Sequence, residues 1–582
     1  MTAFLGIEAS LSGRRWVGPD PAMARRAEGL AQAASLPLPV ARVLAERGIE
    51  AEGAQAYLNP RLRDLLPDPL SLRDMATAAA RLVAAARGGE RIAIFADYDV
   101  DGGASAALLL GWLRALGRDA TLYVPDRIDE GYGPNAPAMA ALAEGHDLIV
   151  CVDCGTLSHD ALAAAVGTDV VVLDHHLGGE TLPPALAVVN PNRADEDGAL
   201  GHLCAAGVVF LTLVQAGRLL RADGVAEPDL MAMLDLVALA TIADVAPLVG
   251  VNRAFVRTGL AVMADRRRPG LVALSDVARL DGPPTAFHLG FLLGPRINAG
   301  GRIGRADLGA RCLASRDPAE ARKLAEELDE LNRDRRAIEA AVREEALAQV
   351  AARNDDRLAW AAGEGWHPGV VGIVAARVKE ATGLPAVVIG VEAGIGKGSA
   401  RSVPGVDLGR AIQRLAREGL LIKGGGHEMA AGLTVAEDGI AAAMDRLTDL
   451  LARDMAAHTG AGDLRISGLI ETHGATPDLL AMLEDAGPFG QAAPAPRFAL
   501  ADQLIDSAGQ MGDSHLRLQF RSPGGPALEA VAFGAMNGPL GPALIGARGR
   551  RFHLAGKLEM SHWQGRSRVR LRLDDAAPVA QA

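Results

Sequence analysis

Between residues 91 and 190 the chain alternates short apolar runs with helix-patterned segments. "RIAIFA" at 91–96 is a continuous apolar run with β-branched and aromatic residues, and it predicts a buried strand. "ASAALLLGWLRALG" predicts a helix that Gly117 stops. "ATLYVP", "DLIVCVD" and "DVVVLDHH" predict three more strands, with a helix over "SHDALAAAV" between the last two. This alternation predicts an α/β domain on a mainly parallel sheet. From about 203 to 265 the pattern is mostly helical. "LDLVALATIADVAPLVGV" at 234–251 is the most membrane-like stretch, but Asp235, Asp244 and Pro247 interrupt it, which predicts a buried helix instead of a span.

Residues 317–355 contain no glycine, and their one proline follows Asp317 at the start. That pattern predicts a connecting helix of roughly 50 Å. A second α/β pattern covers 356–458: strands at "RLAWAAG" and "PAVVIGV", a helix from Val370 to Thr382, then "GIGKGSARSV", a Gly-rich turn and a helix around 438–457. From 464 to 574 short strands follow one another, which predicts a small all-β barrel of the OB type. The expected fold class is α/β, with two α/β domains joined by a long helix plus a C-terminal all-β OB-like domain.

Composition adds limits. The 582 residues are 49% apolar and 22% charged, which describes a soluble chain of several domains. Net charge is −12, so a nucleic-acid partner would have to be met by local basic patches. Cysteines stand only at 151, 154, 204 and 312, which fits a reducing compartment. Cys151 and Cys154 form a CxxC, but the pair ends a strand-like run and reads as packing, not redox chemistry. The N-terminus lacks signal-peptide features, and a cytoplasmic protein without membrane contact is expected.

The chemistry begins at "DYDVDG", residues 97–102. An EF-hand is excluded, because its twelfth position is Leu108 and the loop follows a strand, not a helix. Asp97, Asp99 and Asp101 instead occupy a strand-to-helix turn, where open α/β sheets bind ligands. Asp153 closes "LIVCVD"; Asp174, His175 and His176 close "DVVVLDHH"; Asp244 interrupts an apolar helix. Each alone suits a cap or a loop. Together they would crowd at one sheet edge and repel without cations. Carboxylates with one or two histidines favour Mn²⁺ or Mg²⁺ over zinc. Two such ions about 3.5–4 Å apart, bridged by one carboxylate such as Asp153, are a clamp for phosphoester hydrolysis.

"DYDVDG", "PDRIDEGYG", "VDCG", "DHH" and "ADVAPL" occur in the order of the DHH phosphoesterase superfamily. "GPRINAGGR", "HPGVVGIVAAR", "GSARS" and "GGGHEMAAG" extend the match, and the chain resembles the RecJ-type single-strand exonucleases of that superfamily. The resemblance implies domains at 1–60 (a cap segment on the nuclease core), 61–315 (DHH catalytic), 316–355 (connecting helix), 356–460 (DHH-associated) and 461–582 (OB-like, nucleic-acid-binding). It implies metal ligation by Asp97, Asp99, Asp153, His175 and Asp244, with Asp174 orienting His175, His176 facing the scissile phosphate, and Asp101 at or behind a metal. Phe95 and Ala96 stand where some members carry a histidine. Arg127, Ser399, Arg401, Gly425, Gly426 and His427 are implied phosphate contacts, and Arg296, Asn298 and Arg302 implied strand contacts. A cleft too narrow for duplex is implied as well.

In the β domain, Arg548, Arg550, Arg551, Lys557, Arg566, Arg568, Arg570 and Arg572 interleave with Phe552 and Trp563, a pattern that suits single-strand binding, while Phe552 fits a core position at least as well. The expected activity is metal-dependent 5′→3′ hydrolysis of single-stranded DNA to 5′ mononucleotides in recombination and repair. Single-strand binding protein and a recombination helicase enter as partners by resemblance, and the chain is expected to act as a monomer. The rival expectations are a DHH phosphodiesterase for short oligonucleotides or cyclic dinucleotides and a catalytically inactive DNA-binding relative.

Overall fold

The computed structural model describes residues 3–127, 129–457, 462–563 and 566–579. These residues fall into two compact units. The larger begins at Leu66 and runs to 457; the smaller combines the residues up to Leu65 with those from 462 onward.

The larger unit opens with a wholly parallel five-stranded sheet. Its strands in chain order are Ile92–Ala96, Thr121–Tyr123, Leu148–Val152, Asp169–Leu173 and Ala187–Val189. In space they lie in the order 2-1-3-4-5. The strands Ile92–Ala96 and Leu148–Val152 are buried at every position, as parallel strands covered on both faces must be. Ala93, Phe95, Ile149, Cys151 and Val172 pack against Met139, Leu142 and Leu162 of the helices Ala136–Gly145 and His159–Ala163. Cys151 and Cys154 are free thiols inside this core, which matches a packing role. The chain order reverses between the Ile92 and Leu148 strands, and a sheet of this order collects ligands beyond the C-terminal ends at that point. The apolar stretch at 234–251 forms the buried helix Leu234–Ala243.

The connecting helix is Pro318–Arg353, 36 residues long, or about 54 Å at 1.5 Å per residue. The Asp317 carboxylate caps it by accepting from the Ala319 amide at 2.9 Å. It packs against the helices Gly294–Ile303 and Pro368–Thr382. The second sheet has the order Lys423–His427, Ala430–Ala436, Ile395–Arg401, Ala386–Glu392, Ala359–Glu364. The expected glycine-rich turn at "GGGH" is an edge strand instead. Gly424–Gly426 have weak strand propensity, but their partner Ala430–Ala436 is anchored in the sheet on its other side.

In the smaller unit Phe498–Met511, His515–Arg521, Ala527–Ala532, Arg551–Trp563 and Arg566–Pro578 form a barrel, closed where the first pairs with the fourth. Phe498, Ile505, Leu518, Phe520, Phe552 and Leu554 fill it. The expected cap at 1–60 finds its core here: Leu30, Val40, Leu44 and Ala54 join the barrel cluster. Trp16 pairs in register with Leu464, and its fully buried indole donates to Asp575 at 3.0 Å. The N-terminal segment carries no chemical motif, so only its apolar face could have told where it docks.

Trp16→Ala is expected to cost the smaller unit about 3–5 kcal/mol, because it empties a buried site and removes a donor to the buried Asp575 carboxylate. Urea unfolding followed by circular dichroism should show one transition moving to lower denaturant while the other stays.

Candidate active site

Four of the five parallel strands are followed directly by a polar residue, and backbone hydrogen bonds step these residues along the edge. The Asp97 amide donates to the Val152 carbonyl at 3.3 Å, the Asp153 amide to Leu173 at 3.0 Å and the Asp174 amide to Val189 at 3.1 Å. Asp97, Asp153, Asp174 and Asn190 thus follow directly on their strands in one row. Asp153 has φ +60°, a left-handed conformation costly for a non-glycine residue. Val245, just after Asp244, is also left-handed, at φ +58°.

The row gathers ligating atoms. One oxygen each of Asp97, Asp99 and Asp153 lie within 4.8 Å of one another, as do ligand atoms of Asp101, His175 and Asp244, and of Asp153, His175 and His176. His175 Nε2 stands 3.3 Å from Asp153 Oδ1, 3.7 Å from Asp101 and 3.8 Å from Asp244. Asp153 is the carboxylate common to the first and third clusters. Asp99 caps the helix Val100–Ala115, accepting from the amides of Asp101 and Gly102 at 2.8 and 3.1 Å. Asp101 uses both oxygens to accept from Ala205 and Ala206, at 2.7 and 2.8 Å, and so caps the distant helix Ala205–Ala222. It positions that helix while still lining the cluster.

Asp174 was expected to orient His175. It orients His176 instead: Asp174 Oδ1 bonds His176 Nδ1 at 2.8 Å and reaches His175 only through its backbone amide. Sequence does not distinguish two adjacent histidines; the backbone turn does. Residues the sequence reading passed over complete the loop. Asn190 Nδ2 donates to the His176 carbonyl at 2.8 Å and Asn192 Nδ2 to the His175 carbonyl at 2.5 Å. The Tyr132 hydroxyl sits 3.0 Å from His176 Nε2 and 3.3 Å from the Asp153 carbonyl. The signal for Asn190 was the one that revealed Asp153, a polar residue at the end of a short apolar run.

Burial, then the neighbouring Asp99 charge, pushes the Asp97 carboxyl well above the ordinary range. Burial with the charges of Asp101, Asp99 and Asp97 does the same to Asp153. Asp244 is pushed up to about 8 by burial and by Asp101 and Asp99. Burial opposes ionisation of Asp174 and of His176, yet the bond between them prevails: Asp174 is held below its usual value and His176 raised to about 9. Asp97 Oδ1 and Asp153 Oδ1 are buried without a hydrogen-bond partner among the described residues. Buried acceptors are almost always satisfied. Hard oxygens with one imidazole, left unsatisfied and crowded, fit divalent Mn²⁺ or Mg²⁺.

A basic group lies near these acids. Arg127 stacks over the Tyr98 ring at 5.2 Å, and its charge reaches Asp97, Arg302 and Arg401. Arg302 donates to the Gly369 carbonyl at 3.1 Å, and Arg401 to Ser399 Oγ and the Ala400 carbonyl, each at 2.9 Å. Strand register puts Ser399, Gly432 and Gly425 in one row, and Arg401, Ala430 and His427 in another. The Ser399 row therefore continues into bare backbone. Gly426 has φ +150°, and a Cβ there would come within 2.4 Å of the Ala430 carbonyl.

Arg296 departs from its expected role as a strand contact. It is bound to Asp329 at 2.9 Å and to the Leu292 carbonyl at 2.8 Å, so it ties its helix to the long one. Asn298 Oδ1 is buried and unpaired among the described residues. In the barrel the expected groove is revised too. Phe552 is core, Arg551 pairs with Asp502 at 2.5 Å and Arg570 with Glu559 at 2.6 Å. Lys557 is half-buried, while Arg548, Arg550 and Arg568 are exposed. The side chains of Trp563 and Arg566 lie outside the described residues.

Family models match three parts of the chain: the DHH family N-terminal domain at 91–241, the DHHA1 domain at 347–453 and the RecJ OB domain at 466–575. The single-stranded-DNA-specific exonuclease RecJ of Dickeya dadantii is 38% identical over 571 residues, covering 94% of this chain and 97% of that protein. The chain belongs to the RecJ family. The crystal structure of Thermus thermophilus RecJ in complex with Mn²⁺ superposes with a TM-score of 0.81 at 30% identity, covering 97% of this chain and 80% of that one. The Mg²⁺ complex from the same organism gives 0.73 at 28% identity, covering 97% and 79%.

Two outcomes follow from this geometry. Asp244 titrates above its unfolded value, so its contribution to metal-free stability is complete below about pH 4 and is lost as pH rises through about 8. In EDTA the melting temperature should fall between pH 6 and 8.5, Asp244→Asn should flatten that fall, and Mn²⁺ should restore the wild type. Arg296→Ala should lower the melting temperature and leave KM for substrate near wild type, whereas Arg302→Ala should raise KM.

Proposed function

We propose that this chain is a metal-dependent exonuclease that degrades single-stranded DNA from the 5′ end to 5′ mononucleotides, in DNA recombination and repair. One observation carries the reading: buried, unsatisfied carboxylate oxygens of Asp97 and Asp153 lie beside arginines that have no carboxylate partner among the described residues. Acids that need cations next to arginines that need an anion describe a phosphodiester site.

Asp97, Asp99, Asp153, His175 and Asp244 would hold two divalent ions, Asp97 and Asp99 serving different ions, with Asp101 beside them. When bound, the ions supply an activated water and offset charge on the phosphate. His176, kept protonated by Asp174, would donate to a phosphate oxygen. The Tyr132 hydroxyl lies against the same ring, 3.2 Å from Nδ1 and 3.0 Å from Nε2. Arg401, Ser399 and the bare backbone at Gly425 and Gly426 would receive the terminal 5′ phosphate, with Arg127 and Arg302 between it and the acids. These contacts address the backbone and not the bases, so cleavage is expected at any sequence. In this reading the enzyme works as a cytoplasmic monomer beside single-strand binding protein and a recombination helicase.

End-labelled oligonucleotides test the reading with Mn²⁺, Mg²⁺ or EDTA. Mononucleotides should appear from the 5′ end of single strands only, and not in EDTA. Asp153→Asn should lose more than the roughly 10- to 100-fold typical of outer-shell changes. Arg401→Ala should lose about 10-fold or more on a 5′-phosphorylated strand and less on a 5′-hydroxyl one. Strand binding without cleavage would leave the inactive relative; cleavage confined to dinucleotides would leave the small-substrate phosphodiesterase.

A further inference from the structure

Two phenylalanines stand in solvent close to the acidic edge. Phe287 and Phe291 are 51% and 69% exposed, and their rings stack with centroids 5.0 Å apart and planes 24° apart. They lie on the turn Ala286–His288 and the π-helical segment Leu289–Leu293, which run directly into the helix Gly294–Ile303. Pro295 explains the wide turn. It has no amide to bond the Phe291 carbonyl, and a π-turn is one way to absorb that loss.

This run passes along the site. A Cβ on Gly290 would meet Ile242 at 3.3 Å, and one on Gly294 would meet Ala243 at 3.5 Å and Val100 at 4.0 Å. Ile242 and Ala243 precede Asp244, and Val100 lies between Asp99 and Asp101. At its far end the same run reaches the second domain, where a Cβ on Gly369 would come within 2.2 Å of the Arg302 carbonyl. Along one helical axis the order is therefore phenylalanine pair, carboxylate cluster, basic group. From Phe287 to Gly294 is about 10 Å at 1.5 Å per residue, the length of roughly three stacked nucleotides at about 3.4 Å each.

We propose that Phe287 and Phe291 form a base-stacking platform for the single strand on the 3′ side of the scissile phosphate. The assignment rests on the exonuclease reading, in which the basic group holds the 5′ end and the remaining strand leaves at the opposite end of the run. A π-face accepts any base, which suits an enzyme without sequence preference. Two rings are far too little surface for a protein partner, which needs about 800 Å² per side. Because the phenylalanines are exposed, replacing them is expected to leave the fold intact.

The test compares wild type with the Phe287→Ala/Phe291→Ala protein on a 20-mer and on a 5′-phosphorylated dinucleotide, whose 3′ part is too short for the platform. The ratio of kcat/KM between the long and short substrates should fall roughly 10-fold or more in the variant. Abasic residues at the third and fourth positions of the 20-mer should reproduce that loss in wild type and add little in the variant. Tryptophan at both positions should retain the ratio, and leucine should not. An unchanged ratio, or full retention by leucine, overturns the platform. Fluorescence anisotropy with the labelled 20-mer in EDTA separates the two proposals. If wild type binds, the alanine variant binds more weakly and neither Mn²⁺ nor Mg²⁺ then supports cleavage by wild type, the exonuclease reading falls and the platform stands. Equal binding by both proteins overturns the platform whatever the hydrolysis shows.

Discussion

The structure depends on a repulsion that it does not relieve by itself. Asp97 and Asp153 are buried and Asp244 is half-buried in the same acidic cluster, each is driven toward its neutral form by burial and by neighbouring carboxylates, and one oxygen each of Asp97 and Asp153 accepts nothing. A parallel sheet makes the crowding rigid. The Asp97, Asp153 and Asp174 amides are each bonded to the neighbouring strand, so the carboxylates cannot drift apart. The left-handed backbone at Asp153 is held by the same bonds, and such strain persists only where the surroundings over-determine it. The surrounding helices are built around the problem. Asp101 disposes of part of its charge by capping the helix Ala205–Ala222, and Asn190 and Asn192 grip the histidine loop by its carbonyls. What remains unsatisfied is a socket for divalent cations.

Close backbone approach then brings the basic residues within range. Gly301 lies against Tyr98, where a Cβ would sit 3.0 Å from both the Tyr98 Cβ and its carbonyl, and Gly369 lies against Arg302. These contacts join the acidic turn, the helix Gly294–Ile303 and the second domain. A larger residue at either glycine would separate acids from arginines by displacing backbone. The Arg296–Asp329 pair fixes the same helix to the long one, which makes Arg296 part of the frame that sets the spacing.

The carboxylates and the parallel sheet were legible because both are written locally: an apolar run ending in a polar residue marks a strand and its functional edge at once. Partnerships between distant residues were not. Nothing near Arg296 announces Asp329, and the bond from Asp174 to His176 follows from a turn that sequence does not display. Phe552 suits groove and core equally in the sequence, because alternation marks two faces of a strand without saying which is inside; closure of the barrel decides it. The glycines at 424–426 looked like a turn, since a strand of glycines has little intrinsic preference and takes its form from its neighbour. The first 65 residues carry only an apolar face, and such a face fits any core of similar shape.

A net charge of −12 would seem to disfavour a polyanionic substrate. The local arrangement reverses that. Arg302 is lowered to about 10 by burial and by Arg127 and Arg335, so it remains charged at neutral pH, and Arg401 is lowered by burial and Arg127. Each spends hydrogen bonds on backbone carbonyls or a serine, not on a carboxylate. Burial has already removed much of their hydration, so an arriving phosphate displaces little water and gains a charge-assisted contact in a low-dielectric setting. The net excess of acid repels duplex and single strand alike, while these partly buried arginines favour a phosphate that reaches them. Attraction for a phosphate then comes from this local arrangement and owes nothing to bulk charge, which is why composition alone could not reveal the substrate.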